Sequence, residues 1–147
     1  MKNILVPIDL SNATPQVLDV ASSMAQPLGA KLWLVHVAAP DPDFVGFEAG
    51  PKYVREHRAD VLRREHVELQ ALSKALADRG LLAEALLVQG PTAETLLDEV
   101  ERLKADLIIM GSHGRSGLFK ALVGSVSEQV LRDSKVPVMI VPSVDKA

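Results

Sequence analysis

The sequence predicts a single doubly wound α/β domain, a five-stranded parallel sheet with helices on both faces. Three observations carry this expectation. Short apolar runs of strand length alternate with longer stretches whose apolar residues recur at helical spacing. Turn-forming Gly, Pro, Asp and Asn stand at most junctions. The 147 residues suit one core. Strands that alternate with helices imply right-handed crossovers and a sheet covered on both sides.

Ile4 to Ile8 is a continuous apolar run, which suits a strand buried on both faces. Asp9 to Asn12 supplies the turn after it. Thr14 and Pro15 read as a helix start, a hydroxyl cap followed by proline. Val17, Leu18, Ala21, Met24, Ala25 and Leu28 continue at helical spacing, and Pro27 and Gly29 end the pattern. The second strand is Leu32 to Val37. Ala38 to Pro51 is a long connection rich in Pro and Gly, expected at the rim of a ligand site as a lid. A long helix runs from about Lys52 to Arg79 on Val61, Leu62, Leu69, Leu72 and Leu76. Leu81 to Val88 is the third strand and Gln89-Gly90-Pro91 the turn after it. Thr92 to Lys104 is a helix through Ala93, Leu96, Leu97, Val100 and Leu103. Asp106 to Met110 is the fourth strand. A Gly- and Ser-rich loop, Gly111 to Gly117, leads to a short helical turn near Leu118 to Leu122. The last helix opens at Gly124-Ser125 and ends near Asp133, and Val136 to Pro142 is the fifth strand. No internal repeat or linker interrupts residues 1–147, which read as one domain.

Composition narrows the function. Hydrophobic residues at 48% and charged residues at 24% exclude a disordered or low-complexity chain. A net charge of -3 gives no electrostatic footprint for nucleic acid or an anionic membrane. Aromatic content of 3% is too low for a base-stacking platform. With no cysteine, disulfide frameworks, thiolate nucleophiles and cysteine zinc sites are excluded. No apolar run reaches the roughly 18 residues that span a bilayer, and Asp9 cuts the first run too short for a secretion signal. The expectation is a cytoplasmic protein that neither inserts into membranes nor binds nucleic acid.

Ligands of such folds sit outside the carboxyl ends of the strands, where the strand order switches. Those ends are Asp9, Val37-Ala38, Gly90 and Met110-Gly111. The segment Gly111-Ser112-His113-Gly114-Arg115-Ser116-Gly117, followed by Gly124-Ser125-Val126-Ser127-Glu128, brings glycine backbone and a helix start to that end. Free amides and the positive end of a helix dipole make a phosphate cradle there. Ser125 and Glu128 also have the spacing of a capping box. The Walker phosphate loop, the dinucleotide fingerprint and the nucleophile elbow all fail against this stretch.

What remains is Gly111-x2-Gly114-x9-Gly124-Ser125, which resembles the nucleotide-binding motif of the universal stress protein family. Val6-Pro7-Ile8-Asp9, the run from Asp106 to Arg115 and the turn Gly90-Pro91-Thr92-Ala93 resemble that family too. The likeness covers essentially the whole chain. It implies a sheet ordered 3-2-1-4-5, a homodimer and adenine nucleotide binding. By that resemblance Asp9 would face the ribose and the metal-phosphate region, Pro7 would belong to the same nucleotide site, and the Val37 backbone would meet the adenine edge. Met110, Gly111 and Gly114 would line the ribose and phosphate path, flanked by His113 and Arg115. Gly124, Ser125, Val126 and, less directly, Ser127 would hold the phosphates. ATP with Mg2+ is the implied ligand, with Asp9 as the metal's protein contact. Leu10 stands where the family usually has glycine, a departure expected to narrow the entrance.

Plainer readings stand beside these. Asp9 also suits a strand-to-helix turn. His113 and Arg115 sit in a loop where solvent exposure explains them, although a guanidinium there can reach phosphate. His36 reads as a hydrogen-bonded core residue. His57 and His66 lie about half a turn out of phase on one helix, so they cannot share a metal from one face. Arg55-Glu56-His57-Arg58 and Arg63-Arg64-Glu65-His66 read as a solvated, salt-bridged face. Two function classes remain: a dimeric, ATP-holding regulatory module acting on an unknown downstream protein, or a slow ATPase or phosphoryl-transfer enzyme in the same pocket. A third reading keeps the fold with AMP, cyclic AMP or no nucleotide. The apolar last strand, Val136 to Pro142, is the expected dimer edge.

Overall fold

The structure, a computed structural model, describes residues 1–38, 52–112 and 125–142, with the backbone alone for 52–56. The elements run β1 (Asn3–Pro7), α1 (Thr14–Leu28), β2 (Lys31–Ala38), α2 (Lys52–Asp78), β3 (Leu82–Gln89), α3 (Thr92–Leu103), β4 (Leu107–Gly111), α4 (Ser125–Asp133) and β5 (Val138–Val141). The strands form one parallel sheet in the order β3-β2-β1-β4-β5. The sequence-based fold class and the 3-2-1-4-5 order both hold.

Alternation along β1 explains why the sheet is covered twice. Ile4 and Val6 point to a core shared with Leu18 and Ala21 of α1 and Leu69 and Leu76 of α2. Leu5 points to the opposite core, with Ala93, Leu96 and Val100 of α3 and Val130 of α4. Ile4, Leu5 and Val6 are all fully buried, so β1 has no polar face and reads as an unbroken apolar run.

Several boundaries differ from the sequence reading. Thr14 is the first residue of α1, Ala13 occupies the cap position without a side-chain bond, and Pro15 follows in the first turn. Pro27 lies inside the last turn of α1 instead of ending it. Its missing N–H costs one bond where the helix is already ending. Gly29, at φ 61°, then closes the helix with its N–H on the Gln26 carbonyl at 3.3 Å, a left-handed position that glycine takes without a Cβ penalty. Strand β4 starts at Leu107 because Asp106 is engaged with the start of β1: its Oδ2 accepts the Lys2 and Asn3 N–H groups at 2.8 and 3.0 Å. Strand β5 starts at Val138, after Pro137, which has no N–H for a ladder. The expected turn near 118–122 and nearly all of the expected lid, 39–51, lie outside the described residues.

Candidate functional site

A cavity of about 450 Å³ opens at the carboxyl ends of β1, β2 and β4. This is where the strand order switches, with β2 on one side of β1 and β4 on the other, the usual ligand position of an open α/β sheet. Its volume lies within the range of small-ligand pockets.

The β1 side is built by Pro7, Ile8 and Asp9. Oδ1 of Asp9 accepts the Ser11 N–H at 3.0 Å, so the carboxylate tightens the strand-to-helix turn. Its Oδ2 takes no hydrogen bond among the described residues. Both sequence readings of Asp9, turn residue and pocket residue, therefore apply to one side chain. Leu10 has φ 60° and packs against the core beneath α1. It does not line the cavity, so the expected narrowing of the entrance is not seen among the described residues. The glycine position of the turn is filled at a conformational cost, with the leucine half-buried against the core.

The β2 side carries Val35, His36, Val37 and Ala38. His36, 6% exposed, is hydrogen-bonded in the core as expected. Its Nδ1 meets the Ile8 carbonyl at 2.7 Å and its Nε2 meets Glu65 Oε2 at 3.0 Å. A carbonyl only accepts, so Nδ1 carries a proton and donates. The contact between Nε2 and the carboxyl ties the ring to α2.

Sequence reasoning missed the wall supplied by α2. Arg58, Val61, Leu62 and Glu65 line the cavity, at the i, i+3, i+4, i+7 spacing of one helical face. The charged run expected as a wholly solvated face thus divides. Arg63 pairs outward with Asp60, while Arg58 and Glu65 turn inward. The spacing was visible in the sequence, but which face meets the pocket depends on how α2 docks on β2 and β3. From α1 the wall gains Ala13, Thr14 and Val17. Thr14 is 6% exposed, and its Oγ1 has no hydrogen-bond partner among the described residues. An unmade hydroxyl bond costs about 1–3 kcal/mol.

At the far side, Met110 and Gly111 end β4, and Val126 and Ser127 lie in the first turn of α4. The buried Ser127 hydroxyl donates to the Gly111 carbonyl at 2.9 Å, fixing the start of α4 against the end of β4. That bond holds the first turn of α4 beside the cavity. Ser125 is the first residue of α4 and is exposed; it is not among the lining residues. Ser125 therefore lies within the helix and not ahead of it, where the capping-box reading puts it. Of the twelve residues named from the sequence, Pro7, Asp9, Val37, Met110, Gly111, Val126 and Ser127 line one cavity. His113, Gly114, Arg115 and Gly124 lie outside the described residues. No cluster of three or more metal-ligating side chains occurs among the described residues.

The universal stress protein family matches residues 1–142. This chain belongs to that family. It is similar to the universal stress protein YxiE of Bacillus subtilis, at 33% identity over 94% of this chain and 97% of that one. Among solved structures, the hypothetical protein MJ0577 shares the fold with a TM-score of 0.86 and 27% identity, covering 99% of this chain and 98% of that one. The universal stress protein from Archaeoglobus fulgidus in complex with dAMP has the same fold, with a TM-score of 0.64 and 18% identity over 95% of this chain and 97% of that one. No helix among the described residues is long and apolar enough to cross a membrane.

Proposed function

We propose that this universal stress protein is a dimeric, ATP-binding regulatory module that acts in the cytoplasm on a downstream protein. The observation that carries the reading is the cavity at the strand switch, with a carboxylate on one side, the amino end of α4 on the other and apolar walls between. Asp9 would face the ribose and Mg2+. The amides at the start of α4 would take the phosphates, where the helix dipole favours negative charge. Val61 and Leu62 supply an apolar surface for a flat base. A single carboxylate suits Mg2+, which usually keeps one or two protein carboxylates and fills its other positions with phosphate and water. The dAMP complex of the Archaeoglobus relative agrees with an adenine nucleotide in this fold. Dimerisation is supported by β5, an edge strand whose Val138, Met139 and Ile140 are only half-buried.

Calorimetric titration of the purified protein with Mg-ATP tests the reading, with nucleotide turnover followed in parallel. Saturable one-to-one binding per chain without turnover is expected. No heat at millimolar ATP overturns the nucleotide reading, and steady ATP hydrolysis replaces the regulatory module by an enzyme.

A further inference from the structure

In a parallel ladder a strand residue turns its N–H and C=O to the same neighbour, and consecutive residues alternate between neighbours. The Ile8 N–H donates to the Val35 carbonyl at 2.9 Å, so Val35, and with it Val37, faces β1. Ala38, whose carbonyl accepts the Gly90 N–H at 3.3 Å, faces the other way. The next rung toward β1 would run from the Val37 N–H to the Ile8 carbonyl. It is not made. That carbonyl takes the His36 Nδ1–H at 2.7 Å, and the chain has turned away at Leu10, whose φ is 60°. The imidazole stands in for the rung. Among the described residues nothing else pairs with the Val37 backbone on that side, and Val37 lines the cavity.

His36 is held in place from behind. Its Nε2 meets Glu65 Oε2 at 3.0 Å, with side chains only 8% and 16% exposed, so the ring is fixed between the end of β1 and the inward face of α2.

We propose that His36 is a positioning residue for nucleobase recognition. By occupying the Ile8 carbonyl, it keeps the Val37 N–H and C=O open as an adjacent donor and acceptor. That pair fits the edge of a heterocycle with a ring nitrogen acceptor beside an exocyclic amine. The inference rests on the nucleotide reading above and adds the device that stops this edge from zipping into the sheet.

Amide hydrogen exchange and paired nucleotides test it. In the nucleotide-free wild type the Val37 amide exchanges as an unpaired group, and ATP slows it. Wild type binds ATP about tenfold more tightly than purine riboside triphosphate, which lacks the exocyclic amine, as expected for loss of one hydrogen bond. In His36→Leu the rung closes, the Val37 amide is protected without ligand, and the preference disappears. His36→Asn, which places a donor near the Nδ1 position, restores it. A Val37 amide already protected in nucleotide-free wild type overturns the proposal, whether or not His36→Leu folds. ATP binding with the preference intact in His36→Leu overturns the proposal and leaves the nucleotide reading standing. A wild type that binds neither nucleotide overturns both.

Discussion

Asp106 and Asn3 hold each other twice: the Asp106 N–H donates to the Asn3 carbonyl at 2.7 Å, and Asp106 Oδ2 accepts the Asn3 N–H at 3.0 Å. The carboxylate also takes the Lys2 N–H, so the end of β1 opposite the cavity is bound to β4 by a side chain. These backbone donors, Asn3 first and Lys2 next, hold the Asp106 carboxyl below its ordinary value of 3.8.

A carboxyl with a lowered folded pKa stabilises the fold above its unfolded value, and that contribution is lost as pH falls through the lower folded value. Asp106→Asn is therefore expected to be less stable than wild type at neutral pH. The difference shrinks below about pH 4, where the group begins to protonate in the unfolded chain, and is gone once pH has fallen through the lower folded value. Urea unfolding of both proteins between pH 7 and pH 2 checks this. A constant difference across that range would show that the charge contributes nothing.

Gly90 has φ 150°, and a Cβ placed on it would stand 2.5 Å from Thr95 Oγ1. Both the backbone and the neighbour oppose a side chain. Gly90→Ala should lose about 1–3 kcal/mol of stability, and Gly90→Ala with Thr95→Ala should recover the steric part alone. Thermal melts of the single and double variants measure the split.

Lys104 closes α3 in the left-handed conformation, at φ 54°, and its side chain is exposed. Lys104→Gly removes the Cβ penalty of roughly 1 kcal/mol, and the helix-closing backbone bonds remain available. A melting temperature raised by about 2–4 °C is expected. An unchanged or lower value would place the strain elsewhere.

Thr14→Val keeps the shape of the side chain and removes a buried hydroxyl without a partner among the described residues. The ligand-free protein should gain about 1 kcal/mol, whereas Thr14→Ser should not. Denaturant midpoints of both variants decide. A destabilised Thr14→Val would mean that the hydroxyl has a partner in solution.

Ser125→Asp places a negative charge at the start of α4, where an acidic side chain suits the dipole. The variant should melt no lower than wild type and bind ATP at least tenfold more weakly, because its carboxylate would compete with and repel the phosphates. Calorimetry that finds equal affinity would move the phosphates away from this helix end.

The fold was legible because each strand is a short apolar run and each helix has its own stripe. The Ile4-Leu5-Val6 run could be read without knowing which residue faced which core. Boundaries slipped where a side chain or a missing donor intervened, as at Asp106 and Pro137. The site was legible where it lies at strand ends, so Asp9, Val37 and Gly111 could be named from position alone. Arg58, Glu65 and Thr14 could not, because their place in the pocket depends on how α1 and α2 lie on the sheet. Leu10 shows the limit most clearly. Its departure from glycine was visible in the sequence, but its inward packing was set by the turn it completes.

The cavity lies on a seam in time as well as in space. On the β2 side of β1, Ile8 and His36 are 28 positions apart, while on the β4 side Asn3 reaches Asp106 across 103. Closing the longer loop costs more entropy, and distant pairings are the slow ones in folding. A β1–β2–β3 half formed early would carry Asp9 and Val37 but no far wall, since Gly111 and Val126 arrive only when the second half docks. A ligand that bridges both sides can therefore grip only the finished sheet, and its effect should fall on the unfolding rate, with the folding rate nearly untouched. Bound nucleotide would then act as a clasp that lengthens the lifetime of the native state.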